Sequence, residues 1–404
     1  MNPELASLQP YPFQKLAELI AGITPPADKS VIRLSVGEPQ HAAPAVVLEA
    51  ISAQLGSLSS YPSTKGLMEL RVAIALWATR RYGLARIKLD PERHVLPACG
   101  TREALFSIAQ TVIDTQSKKL QGKRPIVIMP NPFYQIYEGA ALLAGAEPYF
   151  LNTVAEHHYR MDFASVPPEI WQRTQLVYVC SPGNPTGAVT SHADYAELIA
   201  LAQRYDFVIA SDECYSEIYF DDAHPPIGLL QVANDVGIED YQRCLVFHSL
   251  SKRSNLPGLR SGFIAGDGAL MGPYLQYRTY HGCTVPSLAQ AASIQAWNDE
   301  THVCENRRLY RAKFEAVLDI LGPVLDVQKP DAGFYLWPRT PKDDETFTRE
   351  LFACEHVLVL PGSYLSRATS AGNPGEGRVR MALVAPLAQC VDAAQRIRHY
   401  VESL

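Results

Sequence analysis

The chain has 404 residues, 47% of them hydrophobic and 19% charged, with a formal net charge of −6. That length accommodates one large domain and a smaller one, each with its own core. Acidic and basic residues are mixed and no Lys/Arg tract occurs, which argues against a nucleic-acid partner.

No run of about 18 apolar residues marks a membrane span, and Met1–Pro10 lacks the cationic and apolar regions of a signal peptide. The eight cysteines are scattered, with no C-x-x-C and no His at ligand spacing. Reduced thiols, no metal and a cytoplasmic location are the expectation.

In chain order, apolar runs at His94–Pro97, Pro125–Met129, Leu176–Cys180, Phe207–Ser211, Leu245–His248 and Gly262–Ala265 predict strands. Each is apolar or β-branched throughout, as burial on both faces of a mostly parallel sheet requires. Helical periodicity lies between them. Thr101–Asp114 puts Ala104, Leu105, Ile108, Ala109, Val112 and Ile113 on one stripe, and Tyr195–Arg204 does the same with Leu198, Ile199, Leu201 and Ala202.

This alternation predicts an α/β layered domain. Beyond it, Gln290–Leu321 reads as a long helical stretch broken once. Strands at Gly333–Trp337, Val357–Leu360 and Arg378–Leu383 and a closing helix at Leu387–Val401 follow. The expected division is a large α/β domain at 46–290 and a small α+β domain made of 1–45 and 291–404.

Several segments that follow predicted strands carry polar chemistry. In Ser249-Leu250-Ser251-Lys252, a lysine directly follows a buried strand. Desolvation lowers the pKa of such an amine and lets it form an imine with an aldehyde. Ser249, Ser251 and the following Arg260 suit a phosphate dianion. Asp212 ends another buried strand, where open α/β sheets bind ligands, and a carboxylate there can keep a pyridinium ring protonated. Tyr215 follows on the same segment.

Ser181-Pro182-Gly183-Asn184-Pro185-Thr186-Gly187 is a rigid turn that can present the Asn184 amide. Gly100-Thr101-Arg102 opens a helix whose free N–H groups attract phosphate. Either aromatic of Pro132-Phe133-Tyr134 can stack on a flat ring. Arg378 and Arg380 alternate on one strand face, as a carboxylate clamp requires. Taken singly, each segment reads equally as a cap, a turn, core packing or a surface strand; their joint occurrence is what points to one site.

These motifs, in this order and spread from Ser35-Val36-Gly37-Glu38-Pro39 to Arg380, resemble the fold-type I pyridoxal 5′-phosphate (PLP) enzymes, specifically the class I/II aminotransferases. The resemblance implies PLP held as a Schiff base on Lys252, which also moves the substrate proton. It implies Asp212 at the pyridine nitrogen, Asn184 and Tyr215 at the 3′ oxygen and Tyr134 stacked on the ring. It further implies a phosphate cup of Gly100, Thr101, Arg102, Ser249, Ser251 and Arg260, with Gly37, Asn184 and Arg380 on the substrate carboxylate. Tyr61 matches a tyrosine that family members lend to the neighbouring subunit's phosphate, which implies a homodimer with sites at the interface.

Leu96–Leu105, Ser249–Gly262 and Pro330–Pro338 are similar to the bacterial N-succinyldiaminopimelate aminotransferases. Arg253-Ser254 takes the place of the small or aromatic pair usual after the lysine. The function this implies is transamination between N-succinyl-LL-2,6-diaminopimelate and 2-oxoglutarate, in lysine biosynthesis. Alternatives on the same scaffold are an aminotransferase for N-acetylornithine or aspartate and a PLP-dependent β-lyase. A PLP-sensing regulator would need a DNA-binding module, for which the residues before Ser35 leave no room. Lys15, Arg33 and Arg378 are the cations available for a distal carboxylate.

Overall fold

The six apolar runs fold as strands of one sheet, which a seventh strand completes. In chain order these are β1 (Val95–Ala98), β2 (Ile126–Asn131), β3 (Glu147–Asn152), β4 (Thr174–Cys180), β5 (Val208–Asp212), β6 (Cys244–Ser249) and β7 (Gly262–Gly266). The computed structural model describes residues 1–404. The spatial order is β1-β7-β6-β5-β4-β2-β3. All neighbours run parallel except β7, which is antiparallel to both β1 and β6.

Alternation along the strands explains why both faces are covered. Ile126, Ile128, Val177, Val179, Ile209 and Val246 enter one apolar core. Their sequence neighbours Val127, Met129, Leu176, Tyr178, Ala210 and Phe247 enter a second core on the other face. Helices supply the outer layers, among them α1 (Thr101–Val112) and α2 (His192–Tyr205).

The long helical stretch is broken once, as its pattern predicts, into α3 (Ser287–Asn298) and α4 (Thr301–Leu321). The break has a local cause. Asp299 leaves helical geometry and its carboxylate accepts from the Thr301 and His302 N–H groups at 3.0 and 3.3 Å, which starts a new helix.

Both chain ends build the remaining layer. Ile32–Arg33 pairs in parallel with Val357–Leu358. Leu360–Pro361, Val379–Ala382 and Tyr335–Leu336 form a three-stranded antiparallel sheet. Ile32 and Leu34 share a third core with Phe314 and Val317 of α4, Met381, and Ile397 of the closing helix α5 (Leu387–Glu402). The boundary expected at 290/291 falls inside α3. Because Ala292, Ala296 and Trp297 pack into the first core with the sheet, we propose that the large unit extends through Asn298. No helix is long and apolar enough to cross a membrane.

Candidate active site

At the carboxyl ends of β2, β4, β5 and β6 the backbone leaves the sheet, and a cavity of about 450 Å³ opens there. Among the sequence-predicted site residues, all line this cavity except Gly100, which lies behind its wall, and Tyr61.

Lys252 sits in the single-turn helix Leu250–Arg253, whose first turn is capped by Ser249: the Ser249 hydroxyl accepts from the Ser251 N–H at 3.1 Å. The lysine Nζ donates to the Gly37 carbonyl at 2.5 Å and lies 5.3 Å from the Phe334 ring centroid. Burial, aided by the nearby Arg380 and Arg102 charges, pushes its pKa down to about 8. The neighbouring Arg253 explains the unusual pair after the lysine. It is buried between Trp77 and Trp297 at 5.4 and 4.9 Å, and donates to the Ala296 carbonyl and to Glu300. Arg253 locks the lysine turn onto α3; it is not a ligand group.

One end of the cavity is shaped for an anion. Gly100 has φ +81°, and a Cβ there would collide with the Arg260 guanidinium; only glycine allows that approach. Arg260 donates to the Pro257 and Cys99 carbonyls at 2.9 and 3.4 Å. The first turn of α1 has no side-chain cap, which leaves its N–H groups available beside the Ser249 and Ser251 hydroxyls. Thr101 Oγ1 lies 2.9 Å from Cys214 Sγ. Arg102 is held by Tyr134, its Nε donating to the phenol oxygen at 2.6 Å.

The floor carries a buried carboxylate. Asp212 Oδ2 accepts from the Tyr137 hydroxyl at 2.7 Å and Oδ1 from the Cys214 N–H at 3.3 Å. Desolvation nonetheless holds the Asp212 pKa above the usual carboxylate range. Tyr137 is stacked on Tyr178 at 4.5 Å. It escapes sequence reading because one more tyrosine on an apolar helix gives no local signal.

On the opposite side, Arg380 Nη1 donates to Asn184 Oδ1 at 3.0 Å and Nη2 to the Ser35 carbonyl at 2.8 Å. Its Nε is buried without a partner, and the guanidinium lies 4.6 Å from the Tyr335 ring centroid. The Tyr215 and Tyr335 hydroxyls are 3.1 Å apart. A Cβ on Gly37 would collide with the Tyr335 hydroxyl, so glycine at 37 is what keeps this corner open. The rigid 181–187 turn is seated on the strand segment carrying Tyr335: Ala332 N–H donates to the Gly187 carbonyl at 3.0 Å. Tyr335 and Tyr11 are wall residues that sequence reasoning misses, since both come from segments far from the strand ends.

Two expectations need correction. Arg378 does not join Arg380 as a clamp. It donates to the Trp337 carbonyl at 2.9 Å and packs over Tyr159, because pairing there is a single bridge to Arg339 and not a continued strand. Lys15 lies over the Tyr364 ring and Arg33 is exposed, so neither reaches the wall. Tyr61, expected to serve a neighbouring subunit, is fully exposed on this chain.

The donor set fits PLP. A primary amine, a buried carboxylate from another strand end of the same cavity, and hydroxyl, guanidinium and helix-end donors match an aldehyde, a ring nitrogen and a phosphate. Arg380 adds a guanidinium on the cavity wall that suits a carboxylate.

Comparison with known proteins agrees. Residues 29–397 match the family described as aminotransferase class I and II. An LL-diaminopimelate aminotransferase of Desulforudis audaxviator is 31% identical, covering 98% of this chain and 96% of its own. The crystal structure of an aminotransferase from Neisseria meningitidis is 50% identical with a TM-score of 0.93, covering 99% of this chain and 100% of that one. A Thermus thermophilus protein described as a probable N-succinyldiaminopimelate aminotransferase is 25% identical with a TM-score of 0.83, covering 96% of this chain and 99% of that one. The chain belongs to the class I and II aminotransferases, a family that uses pyridoxal 5′-phosphate.

Proposed function

We propose that the enzyme moves an amino group between glutamate and a diaminopimelate-type substrate, with the N-succinylated form as the preferred partner. The carrying observation is the pair of groups facing each other across one cavity. The Lys252 amine stands on the sheet side, and the Arg380 guanidinium, steadied by Asn184 and Ser35, stands on the chain-end side.

Bound between them, PLP supplies an aldehyde that condenses with amines and a ring that takes up electron density from the substrate Cα. Arg380 would hold the substrate α-carboxylate and so orient the Cα–H bond. Lys252 would be the covalent anchor for the cofactor's aldehyde, and its Nζ, when free, would move the substrate Cα proton. Asp212 holds the ring-nitrogen proton, while Asn184 and Tyr215 fix the 3′ oxygen. Tyr134 covers the ring. Thr101, Arg102, Ser249, Ser251 and Arg260 hold the phosphate, with Gly100 permitting its approach.

Two distal groups separate the candidate substrates. A succinyl amide is neutral at the distal nitrogen, and Tyr11, Phe13, Leu360 and Leu365 give the cavity an apolar flank suited to an acyl chain. Free LL-diaminopimelate carries a distal ammonium instead. The names of the curated relatives favour that second reading, and Glu38 is the wall carboxylate, besides Asp212, that could receive the ammonium. A substrate panel separates them. The expected result is a kcat/KM for N-succinyl-LL-diaminopimelate at least about 10-fold above those for LL-diaminopimelate and N-acetylornithine. A preference for free LL-diaminopimelate that Glu38→Gln abolishes would replace the first reading with the second.

The reading includes a second copy of the chain. Tyr61 stands exposed near exposed Leu55 and Leu58, and Leu67 and Tyr280 are also exposed apolar side chains; such surfaces are expected where a partner covers them. Sedimentation should give a dimer, and Tyr61→Phe should weaken PLP retention by roughly 3- to 10-fold. A fully active monomer is the contrary result.

A further inference from the structure

Between Leu34 and Pro44 the chain has no helix or strand, yet it supplies Val36, Gly37 and Glu38 to the cavity wall. From Ser35 to Ala43 no backbone group bonds another backbone group. Backbone without a ladder has to be positioned by side chains. Three from elsewhere in the fold do so: Arg380 on the Ser35 carbonyl, Lys252 on the Gly37 carbonyl, and a contact at His41. The Lys252 amine is committed to the cofactor in the holoenzyme. The His41 contact remains.

His41 Nδ1 lies 2.6 Å from Asn306 Oδ1, and Nε2 lies 2.6 Å from Lys313 Nζ. Lys313 is buried, and its Nζ also donates to the Val384 carbonyl at 3.1 Å. Burial pushes the Lys313 pKa down to about 8, so at neutral and acid pH it is an ammonium that only donates; Nε2 then accepts, and the imidazole is neutral with its proton on Nδ1, given to Asn306. Asn306 then directs its amide to the Lys252 and Arg253 carbonyls at 3.4 and 3.5 Å. The bridge thus ties the wall segment to α4 and to the backbone of the lysine turn.

The charged and titratable groups around His41 are Lys313 and Glu305 of α4, with the Tyr310 ring at 4.8 Å and the Cys390 thiol of α5 beyond Lys313. No buried carboxylate faces the imidazole. A second positive charge beside Lys313 would be countered only by the exposed Glu305.

We propose that His41 is a positioning residue: its neutral imidazole, bridging Asn306 and Lys313, holds the 35–43 segment so that Gly37 stands at the substrate-carboxylate side of the cavity, and protonation releases it. The inference rests on the reading of Gly37 and Arg380 as carboxylate-binding groups. Burial, reinforced by the Lys313 charge, outweighs the Asn306 bond and lowers the His41 pKa, which places the release on the acid side of the ordinary imidazole range.

The test is steady-state kinetics of the holoenzyme with glutamate as donor, from about pH 5 to about pH 8.5. For the wild type, KM rises as pH falls through the release, with a smaller change in kcat. His41→Ala raises KM about 10-fold at neutral pH, with kcat within about 3-fold and the cofactor spectrum unchanged. His41→Gln, whose amide can both donate to Asn306 and accept from Lys313, restores neutral KM and removes the acid rise. An unaltered KM in His41→Ala, or an acid rise retained in His41→Gln, overturns the proposal. Arg380→Lys distinguishes the two claims. If its KM is raised while that of His41→Ala is not, the bridge fails and the carboxylate site stands; if its KM is unchanged, the carboxylate reading itself fails.

Discussion

Lys252→Ala should lower turnover by more than about 10³-fold, because on the proposed roles it removes both the covalent anchor and the group that moves the Cα proton. Borohydride reduction of the wild-type holoenzyme, followed by peptide mass spectrometry, should place the cofactor mass on the peptide containing Lys252. The variant should show no such adduct. The depressed pKa adds a second observable. The free-amine fraction of Lys252 grows as pH rises through about 8, so the rate at which apoprotein combines with PLP should climb through that range and then level. Labelling of a different lysine, with turnover near wild type in the variant, would remove Lys252 from the centre of the site.

Asp212→Asn should cost about 10²- to 10⁴-fold in kcat, with little change in cofactor-binding stoichiometry. Asparagine keeps the shape and still accepts from Tyr137, but cannot balance a protonated ring nitrogen. Stability should move the other way. The folded pKa of Asp212 lies above its unfolded value, so the folded apoprotein binds the proton more tightly, and this contribution weakens as pH rises through that interval. Removing the charge relieves that cost at neutral pH. The Asp212→Asn apoprotein should melt no lower than wild-type apoprotein, while holoenzyme activity collapses. A variant with near wild-type kcat, measured by stopped-flow half-reactions, would show that the carboxylate does not face the ring.

The sheet is legible in the sequence wherever burial is two-sided. Strands β1, β2 and β4–β7 sit between apolar layers, so their residues are apolar throughout and the pattern is strong. β3 is not legible, because Glu147–Phe150 are partly or fully exposed, whereas Val95–Ala98 of the other edge strand, β1, are buried. The helix Gly268–His281 escapes for another reason: Gly272 and Pro273 interrupt a pattern whose caps are otherwise good. The candidate site is legible where a motif follows a strand end, as at Asn184, Asp212 and Lys252. It is not legible where tertiary contact decides. Arg378 and Arg380 are indistinguishable by alternation, and only the end of strand pairing at Val379 sends one to Trp337 and the other into the cavity. Tyr137 and Tyr335 matter through partners more than 70 residues away, a distance over which local patterns carry no information.

The antiparallel β7 has a consequence for how this enzyme can be altered. Ser249 pairs with Gly262 and Leu250 N–H bonds the Ser261 carbonyl, so residues 250–261 form a loop closed at its own base. Lys252, Ser251 and Arg260 are thereby registered against one another by short-range closure, which carries a small entropy cost. The proposed substrate-facing groups Gly37, Tyr335 and Arg380 belong to segments outside that loop and outside the large sheet. On the proposed roles, the 250–261 loop bears chiefly on cofactor retention and the 35–43 and Tyr335 segments on substrate choice, the two being coupled through Lys252–Gly37 and Arg380–Asn184. Exchanging the 35–43 segment and the Tyr335 strand between relatives should redirect specificity more than it changes the cofactor's dissociation rate; a one-residue insertion within 250–261 should do the reverse.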